Sequence, residues 1–209
     1  VSPVKRLEAA IVEAQEAIAI DAEDATPWLV LGAARGALAT WAKDHGERSD
    51  DLLREAIEAY EKGATRSAND EGGWIGAARI RLLLADCIAS RGEDPRSECA
   101  RAMEDLRLLA KKQPGLAAVW AWGGRAAVQL GQYDAMRGAD PATPWKHAEA
   151  CLGEALRLEP TMASLWLLRA DLRLKVAGFR ARSEDPSRWY KQALEDVLEA
   201  RRLDAGDPG

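Results

Sequence analysis

The apolar positions of this chain recur on a long fixed step, and tryptophan marks its phase. Trp28, Trp74, Trp120 and Trp166 are each 46 residues apart. Other positions keep the same step. A small residue follows four later (Gly32, Ala78, Gly124, Ala170), a bulky apolar one ten later (Leu38, Leu84, Leu130, Val176), then Trp41, Cys87, Tyr133 and Phe179. Further on come Ala56, Ala102, Ala148 and Ala193, then Tyr60, Leu106, Leu152 and Val197, then Gly63, Leu109, Ala155 and Ala200. Units close at Ala68, Pro114, Pro160 and Ala205, and the last is one residue short between Trp166 and Ala193. Self-similarity at a fixed period is the signature of tandem structural units.

A second punctuation mark divides each unit: His45 to Ser49, Arg91 to Pro95, Arg137 to Pro141 and Arg182 to Pro186. Glycine here can take the left-handed conformation that ends a first helix. Asp or Ser can accept amide protons of a second, with Pro in its first turn. Each unit is predicted to be two antiparallel helices, A and B, of about 16–18 residues, roughly 25 Å long. Ala10, Ala14, Ala17 and Ala22 match helix B of a unit that lacks its helix A. The expectation is nine helices in a single domain, 1–209: a leading helix B over 1–22, then units over 26–68, 72–114, 118–160 and 164–205.

Composition agrees with an all-α class. Ala, Leu, Arg and Glu dominate, and strand-type alternation of β-branched residues is nearly absent. The net charge of −5 lacks the basic field that nucleic-acid binding needs. No apolar stretch approaches the ~20 residues that span a bilayer. Cys87, Cys99 and Cys151 have no metal-ligand spacing and read as core thiols of a reduced, cytoplasmic protein, although a Cys87–Cys99 disulfide across the turn stays open. The chain opens on Val1 without Met or a secretory signal, which leaves room for trimming.

The phased positions resemble the tetratricopeptide repeat (TPR), Trp-x2-Leu-Gly-x2-Tyr, then Ala-x3-Phe-x2-Ala, then Pro. The first unit reads Trp28-x2-Leu31-Gly32, then Ala56-x3-Tyr60-x2-Gly63; the third reads Trp120-x2-Gly123-Gly124, then Ala148-x3-Leu152-x2-Ala155 and Pro160. Two departures stand out. The units exceed the family's length of about 34 by roughly 12 residues, lengthening both helices. The family's helix-A tyrosine is replaced by Arg35, Arg81, Ala127 and Arg173. Each of these arginines is expected to reach an acid of helix B as a polar brace. Long units with a Gly-x-Asp-Pro turn also look like the TPR tails of some bacterial serine/threonine protein kinases, though no kinase element is present.

The resemblance implies an α-solenoid, a right-handed superhelix whose concave groove is lined by helix A. Its groove positions, one and five after each Trp, fall on Leu29, Ile75, Ala121 and Leu167, then Ala33, Arg79, Arg125 and Asp171. One turn further lie Leu82 with Leu83, Val128 with Gln129, and Leu174 with Lys175. The phased tryptophans are read as packing residues, whereas Trp122 breaks the pattern and is a better binding candidate. Arg79 and Arg125 either hold a carboxylate-bearing peptide or pair with nearby acids. The Asn and Lys set of the chaperone-tail clamp is missing.

No catalytic, cofactor or metal constellation stands out: His45 and His147 are far apart, and no HExxH, GxSxG, P-loop or GxGxxG occurs. The leading expectation is a non-catalytic scaffold that binds a protein or peptide in its groove and belongs to a larger protein. The alternatives are a small-molecule sensor of a bacterial signalling protein, or a homo-oligomerisation module that dimerises through apolar end faces.

Overall fold

The computed structural model describes residues 2–67 and 71–205, so the expected end of the first unit at Ala68 lies outside them. Among the described residues there are nine α-helices and no strand: α1 (Pro3–Ile20), α2 (Ala25–Asp44), α3 (Asp50–Arg66), α4 (Glu71–Ser90), α5 (Arg96–Lys112), α6 (Ala117–Met136), α7 (Ala142–Leu158), α8 (Ala163–Arg180) and α9 (Ser187–Asp204). Helices α2, α4, α6 and α8 are the A helices; α1, α3, α5, α7 and α9 are the B helices. The chain divides into two compact units, Val1–Leu109 and Ala110–Gly209.

Three hairpins turn on left-handed glycines: Gly46, Gly92 and Gly138 have φ of 76°, 78° and 76°. The following amide reaches back five residues in each, Glu47 N–H to Ala42, Glu93 to Ile88 and Ala139 to Asp134. This closes the last turn of each A helix against the carbonyls left without helical partners. In the fourth hairpin Ser183 stands in the glycine's place, and α8 ends instead with the Ser183 and Glu184 amides both on the Arg180 carbonyl. Asp94, Asp140 and Asp185 accept the amide protons of Arg96, Ala142 and Ser187, as the turn chemistry predicts. Two details differ. Pro141 and Pro186 occupy the cap position rather than the first turn. In addition, α2, α4 and α6 reach 20 residues, about one half-turn longer than expected.

The phased tryptophans pack and also tie the chain together. Trp28 rests against Ala14, Leu31 and Ala59, while Trp120 and Trp166 border the Ala155, Leu156 and Leu165 cluster. All three are half-buried, and each indole N–H donates to the carbonyl six residues earlier: Trp28 to Ala22 at 3.0 Å, Trp120 to Pro114 at 2.9 Å and Trp166 to Pro160 at 2.8 Å. Each of these indoles therefore fastens the first turn of its A helix to the loop before it.

The phased alanines Ala56, Ala102, Ala148 and Ala193 are all buried, which is what lets the two helices of a hairpin approach closely. In the first unit the Tyr60 ring is clasped from two sides by glycines. A Cβ on Gly32 of α2 would lie 2.8 Å from it, and one on Gly76 of α4 would lie 2.5 Å away. Gly76→Ala should therefore lower the unfolding free energy by about 1–3 kcal/mol through overpacking. Gly153→Ala, with open space at its Cβ in α7, should instead raise it by about 0.5–1 kcal/mol through helix propensity. Urea titration of the two variants checks both signs.

Candidate functional site

The A helices carry arginines at phased positions, and most are committed to acids. Arg35 lies 3.2 Å from Glu55 of its own hairpin. Arg81 is buried and joins three carboxylates: Glu61 of α3 before it, and Glu98 (3.6 Å) and Asp105 (3.4 Å) of α5 after it. Arg173, half-buried, joins two carboxylates in the second unit, Glu149 of α7 at 2.6 Å and Asp196 of α9 at 2.8 Å. Arg169 adds a two-pronged contact to the buried Asp196, at 2.7 and 3.1 Å. The expected brace is thus present, and at Arg81 and Arg173 it spans both neighbouring B helices. Burial pushes the Asp105 carboxyl above the usual range, opposed by the Arg81 charge.

The groove positions take up several different settings. In the first unit Leu29 is half-buried and leans over Gly63 of α3, Ile75 is half-buried, and Leu82 is buried at 3% exposure. Arg79 is exposed, its guanidinium donating to the Tyr60 hydroxyl at 3.4 Å. In the second unit the Arg125 guanidinium lies over the half-buried Trp122 ring, 5.5 Å from its centre. Gln129 is half-buried. Asp171 and Lys175 form a 2.8 Å ion pair along α8, flanked by Leu167 and Leu174, each 47% exposed. Helices α2 and α4 touch within the first unit, as do α6 and α8 within the second, so each unit sets A helices side by side. Arg79 and Arg125 lie in different units.

One contrast separates these two arginines from the others. Arg35, Arg81, Arg169, Arg173 and Arg180, also on A helices, each hold a carboxylate. Arg79 and Arg125 hold none among the described residues; a phenol and an indole are their neighbours.

A cavity of about 280 Å³ opens in the second unit between α7, α8 and the start of α9. Trp145 and Phe179 meet edge to face in its wall, 5.6 Å apart at 82°, with Trp189, Leu172 and Val176 beside them and Lys146 and Arg180 among its polar lining. Sequence reasoning missed this cavity. The signal was a paired departure from the repeat: Gly131 stands where the other units have Ala39, Ala85 and Ala177, and a Cβ there would lie 2.4 Å from the Trp145 indole. Cys87, Cys99 and Cys151 are buried, and burial pushes the Cys151 thiol up to about 11. Among the described residues, no helix is long and apolar enough to cross a membrane, and no cluster of metal-ligating side chains occurs.

Phased tryptophans, hairpins turned on glycine and A helices packed side by side define an all-α helical-repeat solenoid of tetratricopeptide-like hairpins. Structures of MamA agree on the fold. A structure of MamA aligns with a TM-score of 0.57 and 14% identity, covering 96% of this chain and 90% of that one. MamA (41-end) from Desulfovibrio magneticus RS-1 aligns with a TM-score of 0.56 and 15% identity over 97% and 88%. A structure of YrrB, described as a TPR protein with an unusual peptide-binding site, aligns more loosely, with a TM-score of 0.49 and 14% identity over 98% and 81%. No family model matches the chain, and no curated protein does.

The brace makes a prediction about stability. Arg81→Met leaves Glu61, Glu98 and Asp105 facing one another without a cation, and should cost about 3–5 kcal/mol. The Asp105 carboxyl already sits above its usual range, so the folded state holds the proton more tightly than the unfolded one. Stability then falls as pH rises through that window. The Arg81→Met deficit should accordingly be smaller at about pH 5 than at about pH 7 in paired thermal melts.

Proposed function

We propose that this chain is a non-catalytic interaction scaffold whose A-helix faces bind a peptide or partner protein carrying carboxylates next to apolar side chains. The observation that carries this reading is the pair of exposed guanidiniums without a carboxylate among the described residues, Arg79 and Arg125, where the other A-helix arginines each hold one. The Arg125 guanidinium, laid on the Trp122 ring, is oriented in advance and keeps its donors available to a carboxylate, and Arg79 is steered by its hydrogen bond to the Tyr60 hydroxyl. Leu29 and Ile75 in the first unit, and Trp122, Gln129, Asp171 and Lys175 in the second, complete the proposed contact set, whereas Leu82, expected in the groove, is buried and drops out. Exposed Leu167 and Leu174 add apolar area beside the Asp171–Lys175 pair. We infer a cytoplasmic location and membership of a larger protein as part of the same reading.

The aromatic cavity favours a second reading, a small-molecule sensor, because its volume lies near the lower end of the range for ligand pockets.

Selection of a random-peptide display library on the whole chain tests the first reading. Enriched peptides should combine Asp, Glu or a terminal carboxylate with Leu, Ile or Phe. Their affinity for Arg79→Ala/Arg125→Ala should fall about tenfold or more, on the scale of one or two charge-assisted hydrogen bonds. Enrichment of peptides that bind the double variant equally well would refute the assignment.

A further inference from the structure

The junction between a B helix and the next A helix is filled in the first unit and hollow in the second. Leu53 of α3 meets Ile80, Leu84 and Cys87 of α4 in a closed core. Two repeats on, the same register positions are Trp145 of α7 and Leu172, Val176 and Phe179 of α8, and there they line the cavity of about 280 Å³. The indole does not fill this space, because its edge lies against Gly131 of α6, where a Cβ would stand 2.4 Å away. Trp189 of α9 adds a third ring to the walls. The charged groups of the lining differ in how far they are already engaged. Asp140 accepts the Ala142 amide proton at 2.9 Å and so caps its own turn. Glu149 takes the Arg173 guanidinium on one oxygen at 2.6 Å, and its other oxygen is buried. Arg180 reaches Glu184 at 3.1 Å, a surface pair of the weakly held kind. Lys146 is exposed and has no ion pair among the described residues. Beside the cavity, the Arg188 guanidinium lies over the Trp189 ring, 5.8 Å from its centre. The acids are thus turned to other partners, and the group left without one is a cation.

We propose that this cavity binds a small aromatic carboxylate, with its ring system among Trp145, Phe179 and Trp189 and its carboxylate on Lys146. Three aromatic side chains offer edges and faces to a flat ring, which an aliphatic chain would use less well. The volume lies near the lower end of the range for ligand pockets and suits a body of one or two rings. The Lys146 ammonium supplies a charge-assisted hydrogen bond to the carboxylate, and Arg180 places a second positive charge in the same lining. This inference rests on the small-molecule reading above and names the ligand class for it. It is independent of the peptide contacts assigned to Arg79 and Arg125.

Three compounds that share one body and differ in charge make the test: naphthoate, naphthamide and naphthylmethylammonium, each substituted at the same ring position. Each is titrated into the whole chain while the indole N–H signals are followed by NMR, with those of Trp145 and Trp189 assigned from Trp145→Phe and Trp189→Phe. Naphthoate should shift both signals and bind about tenfold or more tightly than the other two, on the scale of one charge-assisted hydrogen bond. Lys146→Met keeps the apolar stem at an exposed position, so it should leave the melting temperature unchanged and abolish the preference for naphthoate. Lys112→Met removes the same charge from a residue outside the cavity lining and should leave that preference intact. Equal or tighter binding of the amide or the ammonium compound, or a preference that survives Lys146→Met, would overturn the carboxylate assignment and leave the small-molecule reading standing. No shift with any of the three compounds would remove that reading and this proposal together.

Discussion

A hairpin of two helices cannot cover both apolar sides of its own B helix, and most of this structure follows from that shortage. Helices α3, α7 and α9 each lie on their own A helix along buried alanine, with Ala56, Ala148 and Ala193 on that line. The other apolar stripe of α3 is covered by α4, and that of α7 borders α8. Close approach at small residues lets dispersion contacts accumulate along the 17- to 20-residue helices. The tryptophans belong to the same economy of contacts. Each described indole donor fixes the loop that introduces an A helix, so its register on the preceding B helix is set at the first turn.

Electrostatics reinforce this register. Arg81 and Arg173 stand between two B helices and bond to acids on both, so sliding an A helix along its neighbours would break several charged contacts at once. Asp196 is almost wholly buried and is held by two arginines. Asp50 is equally buried and takes the Arg91 guanidinium at 2.8 and 3.2 Å, joining the start of α3 to the turn after α4. Buried ion pairs contribute little net stability once desolvation is counted, but leaving one partner alone is costly. Their effect here is to select one alignment of the helices.

Function is then sought where the repeat's own economy leaves something over. Arg79 and Arg125 are the A-helix arginines without an acid among the described residues, and Trp122 is a tryptophan outside the phase. The cavity beside Trp145 arises in the same way. A large indole occupies a place held by leucine or cysteine in the first two hairpins, and only the missing Cβ of Gly131 admits it.

The amino-acid sequence by itself determined the period, the helix count, the hairpin turns and the brace. Each of these depends on local chemistry or on a residue type repeated in phase: glycine with positive φ, aspartate before a helix, arginine one repeat from arginine. The tertiary structure decided the partners. It assigned Arg81 three acids rather than one, buried Leu82 although it falls on a groove position, and paired Asp171 with Lys175. It also opened the cavity. These outcomes depend on which neighbouring helix a side chain meets and at what distance, and a repeating pattern of residue types carries the order of the helices without carrying those distances.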